Sequence, residues 1–413
     1  MPRTSRVLVL GSGFAGLWAA LGAARRLDEL GAAQAAVEIT VVSSRPFHDI
    51  RVRNYEADLT ASRIPLQDLL DPVGINHITA EVSGIDPARA TVSTTDGATL
   101  TYDRLVVALG SRVAKPDLPG LAEFGFDVDT YDGAMRLQAH LRGLADRVAD
   151  PASATAVVVG AGLTGIETAS ELPRMISDAL GPEATPRVIL VDHNPHVGSD
   201  MGASARPVIE DALAANQVDT MTGVGVTAVD ERSVTLASGE VVVAATVVWC
   251  AGMRANPLTA QLGVECDRLG RLPVDDYLRV KGVDGVFAAG DVAMARMDDE
   301  HMSVMSCQHG RPMGRYAGYN VIGDLLGAPM LSLRIPWYVT VLDLGPAGAV
   351  YTEGWDRHVV STGAEAKATK QVINGERIYP PLTGDRAALL AAAAPELQAA
   401  PAYGNWRPAA AGD

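Results

Sequence analysis

Four consecutive apolar residues, Val7 to Leu10, run into Gly11-Ser12-Gly13-Phe14-Ala15-Gly16, after which apolar residues recur at helical spacing through Leu17, Trp18 and Ala20. A short apolar run that breaks at glycines and resumes with a period near 3.6 predicts a buried strand, a tight turn and an amphipathic helix. The order returns at Val157 to Ala169, where Gly160, Gly162 and Gly165 repeat the first glycine spacing and Ala169 matches Ala20. Each unit is followed by a second apolar run, Val37 to Val42 and Arg187 to Asp192. Further on, Thr91 to Thr101 alternates around Asp96-Gly97, the signature of a hairpin or meander, before Tyr102 to Gly110 closes on a glycine. Leu236 to Gly239 and then Val241 to Gly252 repeat that sequence of events, the latter read as one buried strand. A period this long implies duplicated supersecondary units.

Between and after the repeats the pattern predicts connections and a third module. Pro46 to Tyr55 is an aromatic and basic connection, and a helix or short segment starts at Ile64-Pro65-Leu66. Lys115 to Gly120 (KPDLPG) marks a boundary. Helices are expected over Tyr131 to Ala149 and over Gln308 to Leu326, the latter opening near Gly310. Val283 to Asp291 reads as a strand ending in Gly290-Asp291, and Trp337 to Leu342, Ala349 to Tyr351 and His358 to Thr362 read as short strands. The expected fold class is α/β: two Rossmann-like, three-layer dinucleotide-binding domains plus a small C-terminal α+β module. The boundaries are 1–118 and 259–330 for the first domain, 119–258 for the second and 331–413 for the module.

Composition narrows the partners. A formal net charge of −15 argues against nucleic acid and anionic membrane, both of which need a basic surface. Apolar runs fall short of the roughly 18 residues that span a bilayer, and the tail from Ala387 to Ala411 has no clustered Lys or Arg face, so membrane association is at most peripheral. The first strand starts almost at Met1, which leaves no room for a leader and predicts a cytoplasmic protein. A homodimer stays open. Cys250, Cys266 and Cys307 have neither CxxC nor metal-ligand spacing; they read as reduced thiols, and no metal is expected.

Each glycine of the repeated turn has its own job: the first makes the turn, the second lets backbone approach a pyrophosphate, the third lets helix and strand close up. The helix N-terminus then receives the phosphate charge. An acid normally ends the second strand to bind a ribose 2′-hydroxyl. Asp192 stands there in the second unit; the first offers Ser43, with Ser44 and Arg45 beside it. Asp192 would repel a 2′-phosphate, which favours NADH, while His193 and Arg187 keep NADPH open. Asp291, after a buried strand, would lie at the carboxyl edge where ligands bind. His48, Arg51, Arg53 and Tyr55 form a loop cluster that is either a solvated face or a site for an anionic group.

Two such cradles, two meanders each followed by a glycine-ended strand, and the late Gly-Asp together resemble the two-dinucleotide-binding flavoproteins of the pyridine nucleotide-disulfide oxidoreductase fold. Within it, TVVWCAGMRANPL at Thr246 to Leu258, GVFAAGDVA and Gln308-His309-Gly310-Arg311 are similar to type II NADH dehydrogenases and their soluble cousins. The resemblance implies FAD on Gly11, Gly13, Phe14, Ala15, Gly16, Ser43, Ser44, Arg45, Arg53, Val82, Ala108, Gly110, Gly290, Asp291 and Gln308. It implies NADH on Gly160, Gly162, Thr164, Gly165, Asp192 and Gly252, and it makes Glu167, Gln308 and His309 the candidates for catalysis. The implied activity is hydride transfer from NADH to flavin N5 and onward to a second acceptor, with a quinone first. Disulfide reductases of this fold need a cysteine pair beside the flavin, and the loop after Val37 to Val42 has no cysteine. Quinone-reducing relatives usually carry a second glutamine four residues before the position of Gln308, where this chain has Val304. The alternatives are therefore a soluble reductase serving a ferredoxin or a biosynthetic substrate, and a nucleotide-sensing flavoprotein with little turnover.

Overall fold

The computed structural model describes residues 3–31, 36–147 and 150–397. Two five-stranded parallel sheets carry the architecture. In the first, Ser5–Leu10 lies between Val37–Ser43 and Arg104–Val107, with Asn76–Thr79 and Val286–Ala288 at the edges. In the second, Thr155–Val159 lies between Arg187–Asp192 and Thr246–Trp249, with Val218–Thr222 and Gly125–Phe126 at the edges. Four strands of each sheet share one order, 4-1-2-3 in the sequence of the chain, and the fifth differs: Val286–Ala288 follows the other four in the first sheet, whereas Gly125–Phe126 precedes them in the second. Strands buried on both faces read as continuous apolar runs, and Val7, Val9, Leu10, Val157 and Val158 are fully buried.

Each sheet is joined to a three-stranded antiparallel meander. These are Val82–Asp86, Thr91–Thr94 and Thr99–Thr101 in the first unit, and Val226–Val229, Ser233–Leu236 and Val241–Val243 in the second. The expected single strand Val241 to Gly252 is in fact two. Val241–Val243 forms the meander's edge with Val241 and Val243 exposed, and the chain turns at Ala244-Ala245 before entering the sheet at Thr246. An unbroken apolar run cannot reveal a change of sheet, because half of an edge strand can face water while reading the same.

The helices depart from expectation at their ends. Tyr131–Gly143 is capped by Thr130, whose hydroxyl accepts from Gly133 N, and passes into a 3-10 turn at Leu144–Arg147; the last two residues of the expected helix, 148 and 149, lie outside the described residues. Cys307–Leu326 starts one residue before Gln308 because the Ser306 hydroxyl accepts from His309 N, and Gly327 in the left-handed region ends it. The connection after the second strand is partly ordered: Phe47–Asp49 pairs with Arg63–Pro65, and Arg51–Arg53 makes a 3-10 turn.

The C-terminal residues form an antiparallel sheet, Val339–Asp343, Ala349–Glu353 and His358–Thr362, followed by the helix Gly363–Val372 and the short helix Arg386–Ala392. This module packs on the helices Leu163–Leu180 and Gly202–Ala215 of the second unit, and the short helix packs on Phe14–Glu29 of the first. Among the described residues no helix is long and apolar enough to cross a membrane. Of the tail expected to lack an anchor, residues 398–411 lie outside the described residues.

Candidate functional site

The two glycine turns have the same geometry. Gly11 and Gly160 have φ of +100° and +105°, and each N–H donates at 2.8 Å to the carbonyl of Val42 or Val191 at the end of the neighbouring strand. Gly13 and Gly162 are extended N-caps of helices Phe14–Glu29 and Leu163–Leu180 with no side-chain cap, so the first helical N–H groups stay open to an incoming anion. A Cβ on Gly16 would lie 2.0 Å from the Gly11 carbonyl oxygen, and one on Gly165 would lie 1.7 Å from that of Gly160. A Cβ on Gly13 would meet nothing within 4 Å, and one on Gly162 only the Asp200 carboxylate, at 3.5 Å. The third glycine of each turn is therefore required by packing, and the second faces the open side where a ligand's backbone contact belongs.

Around the first turn, Ala15 is buried and the Ala108 carbonyl abuts Gly11, while Phe14 meets His48 edge-on. Gly110, in the left-handed region, is half-buried, and Val82 begins the meander opposite Thr94. Asp291 follows Gly290 at the end of Val286–Ala288 and accepts from the Ser111 hydroxyl at 2.5 Å. Ser43 is buried; its hydroxyl donates to the Arg45 carbonyl at 2.7 Å and lies 2.9 Å from His77 Nε2. Ser44 and Arg45 are exposed, with Arg45 paired to Asp132. Arg53 turns the other way, onto Glu56 at 2.6 Å and the Tyr379 hydroxyl at 2.6 Å. Its neighbour Arg51 is the arginine that approaches Asp291, at 3.9 Å.

At the second turn Asp192 is buried, and its two oxygens accept from Ala161 N at 2.5 Å and Asn194 N at 2.7 Å. The acid thus braces the glycine turn from beneath, while Thr164 and Gly252 are exposed beside it. Glu167, one turn into the helix, has a partner that sequence patterning did not disclose. Its Oε1 accepts from Lys370 Nζ at 2.7 Å and from Asp343 N at 3.2 Å. Asp343 in turn accepts from Lys367 and from the Tyr55 hydroxyl at 3.1 Å. Burial pushes the Glu167 carboxyl up, and the carboxylates of Glu167 and Asp343 hold the Lys370 ammonium charged against its own burial. The pair consequently titrates as a unit.

His309 Nδ1 receives the Val304 N–H at 2.9 Å, and burial lowers the ring to about 4, as it does for His48. Both imidazoles are neutral at physiological pH. The Gln308 and His309 Nε2 atoms are buried without a hydrogen-bond partner among the described residues. The three cysteines are free thiols, and burial raises Cys250 to about 12.

With this duplicated geometry in place, comparison with known proteins is decisive. The family model described as pyridine nucleotide-disulphide oxidoreductase matches residues 5–314. The chain belongs to that family. As a member it is an oxidoreductase, and its matched segment contains both glycine turns, both sheets and the Gly290-Asp291 strand end. An NADH dehydrogenase-like protein of Mycobacterium tuberculosis (strain H37Rv) is 70% identical over 399 residues, covering 96% of this chain and all of that one. The type II NADH:quinone oxidoreductase NdhA of the same organism is 32% identical, covering 70% of this chain and 66% of its own length. Among solved structures, NDH2 from Plasmodium falciparum in complex with NADH superposes with a TM-score of 0.76 over 94% of this chain and 97% of that one, at 13% identity.

Several polar contacts around these turns were not expected from sequence in this pyridine nucleotide-disulphide oxidoreductase. Lys370 and Lys367 had one legible signal: two lysines three apart in the alanine-containing helix GAEAKATKQV. Ser111 and Asp129 had none, since the side chain that joins them, Arg51, lies 60 and 78 residues away.

Proposed function

We propose that the chain takes a hydride from NADH held at the second glycine turn onto FAD held at the first, and delivers the electrons to a quinone. The carrying observation is the pair of matched turns, each with an open second glycine and an uncapped helix N-terminus over a five-stranded parallel sheet. Bound in the first turn, FAD would supply the hydride-accepting ring and pass electrons singly or in pairs. The residues do the holding. Gly13 and the N–H groups after it receive one pyrophosphate, Asp291 accepts from the cofactor's hydroxyls, and Gly110 permits close backbone approach. Gly162 and Thr164 receive the second pyrophosphate, and the Asp192 charge disfavours a 2′-phosphate, which selects NADH over NADPH. Glu167 and Lys370 keep a proton at a buried position behind this helix, between Oε1 and Nζ.

The quinone rests on what the relatives are called, an NADH:quinone oxidoreductase and a demethylphylloquinone reductase of Synechocystis among them. Val304, at the position where the resemblance leads one to expect a second glutamine, favours a second reading in which a redox protein or a soluble substrate takes the electrons. Anaerobic addition of NADH to purified protein should bleach its flavin absorbance, with NADPH slower. Subsequent menaquinone analogue, ferredoxin or ferricyanide should restore it at rates that rank the acceptors. A protein without yellow cofactor, or one bleached by neither nucleotide, overturns the reading; restoration by ferredoxin but not by quinone moves it to the second.

A further inference from the structure

We propose that Arg51 is a positioning residue for hydride transfer, pinning the ribbon by which the chain crosses between its two nucleotide-binding units. The chain leaves the first unit through Ser111–Val113 and returns through Met253–Ala255, and these two strands pair antiparallel. Arg51 comes from neither; it sits on the 3-10 turn after the second strand of the first sheet. Its Nη1 donates at 3.0 Å to both the carbonyl and the hydroxyl of Ser111. Its Nη2 lies 3.1 Å from Met253 Sδ, on the returning strand, and donates to Asp129 at the entrance to the second unit. One planar guanidinium therefore holds both strands of the ribbon and an anion beyond it, a reach that a lysine's point charge does not reproduce.

The contacts continue on both sides. Asp129 Oδ2 accepts from Val113 N at 3.0 Å, so the arginine's anion is itself fixed on the outgoing strand. The Ser111 hydroxyl donates at 2.5 Å to Asp291, the carboxylate assigned to the cofactor. Arg51 is 3.9 Å from that same carboxylate. Two carboxylates and one cation make the junction, and loss of the cation leaves Asp129 and Asp291 without their shared counter-charge. Two neighbouring pairs reinforce the same seam, Arg45 and Arg63 with Asp132, the latter at 3.6 Å. Ring-to-ring transfer between the two units needs alignment to within a fraction of an ångström, and this junction sets the angle at which one unit presents its ligand to the other.

The inference rests on the reading that NADH at the second turn reduces FAD at the first, and two readouts separate their failures. In FAD-loaded R51Q, flavin reduction at saturating NADH should slow by about tenfold or more. The NADH concentration for half-saturation should move by less than about threefold, because Arg51 touches neither glycine turn. Reduction by dithionite and the flavin content should stay at the parent level. Hydrogen exchange of ribbon peptides covering residues 111–113 and 253–255 should rise in the same protein. D129N should show both effects, and R51Q/D129N should be no worse than R51Q alone, as expected for groups acting as one unit. R51K covers failure of R51Q to fold and should recover the rate only in part. A parent-like reduction rate in R51Q, a slowed rate without increased ribbon exchange, or additive effects of R51Q and D129N would each overturn the proposal. Failure of NADH to bleach the parent's flavin sinks the functional reading instead, and the exchange measurement still decides whether Arg51 pins the ribbon.

Discussion

The Glu167–Lys370 pair offers the sharpest test of how the C-terminal module is tied to the second nucleotide-binding unit. Both side chains are about nine-tenths buried, and the nitrogen–oxygen distance is 2.7 Å. Lys370→Met keeps the bulk of the stem and removes the charge, leaving Glu167 with only the Asp343 N–H at 3.2 Å. Breaking a buried pair from one side costs about 3–5 kcal/mol, because the remaining charge stays desolvated. With an unfolding entropy of about 2.1 cal/mol/K per residue, a chain of this length loses on the order of 0.9 kcal/mol per kelvin, so about 4 kcal/mol is a fall of ~5 °C in Tm. The fall is larger if the module melts by itself.

The sign of the pH dependence follows from the carboxyl. Without the lysine, burial raises the Glu167 pKa further above its unfolded value, so the neutral form is favoured in the fold. That contribution is present at low pH and is lost as pH rises through the folded pKa. The Lys370→Met deficit should therefore be greater at pH 8 than at pH 5. Glu167→Gln/Lys370→Met, which leaves no uncompensated charge, should recover most of the loss at pH 8. Thermal melts of the three proteins at the two pH values make the measurement. A Lys370→Met protein within ~1 °C of the parent at pH 8, or a double variant no better than the single one, would refute the burial argument.

Gly16→Ala should abolish flavin content, measured as the ratio of flavin to protein absorbance, because its Cβ would lie 2.0 Å from the Gly11 carbonyl oxygen. Gly165→Ala, whose Cβ would lie 1.7 Å from the Gly160 oxygen, should leave the yellow colour intact and weaken NADH binding by about tenfold or more. His48 and His309 are lowered to about 4 by burial. Each favours the fold while neutral, contributing up to about 3 kcal/mol that is present above pH 6.5 and lost as pH falls towards 4. His48→Gln should flatten that acid limb in equilibrium unfolding, and a limb unchanged by the substitution would contradict the assignment. Asp192→Ala removes the acceptor for Ala161 N and Asn194 N and should raise the Kd for NADH by about tenfold, with less discrimination against NADPH; unchanged affinities would leave the acid no role at this turn.

What could be read from sequence and what could not divides along the range of the interactions. The strand–turn–helix units were legible because the whole turn lies within six residues of chain: Gly11 and Gly160 take positive φ, and Gly16 and Gly165 close on the carbonyl five residues back. The first meander was legible from alternation and an Asp-Gly turn for the same reason, and the second from its repetition of that order. The helix ends and the split at Ala244-Ala245 were not, since they depend on which face of a short segment meets solvent, a property that an unbroken run of Val and Ala does not encode. Among the site residues, Asp192 and Asp291 stand at the strand ends where their position in the repeat puts them. Ser43 stands there too, yet its hydroxyl turns inward to Arg45 O and His77. Arg51 and Arg53 are two residues apart in one basic loop and were indistinguishable by composition, but a 3-10 turn sends one to the crossover ribbon and the other to Glu56 and Tyr379. Lys370 meets Glu167 across 203 residues. Pairings of that kind are created by packing between units, so they are where a local reading of the chain stops.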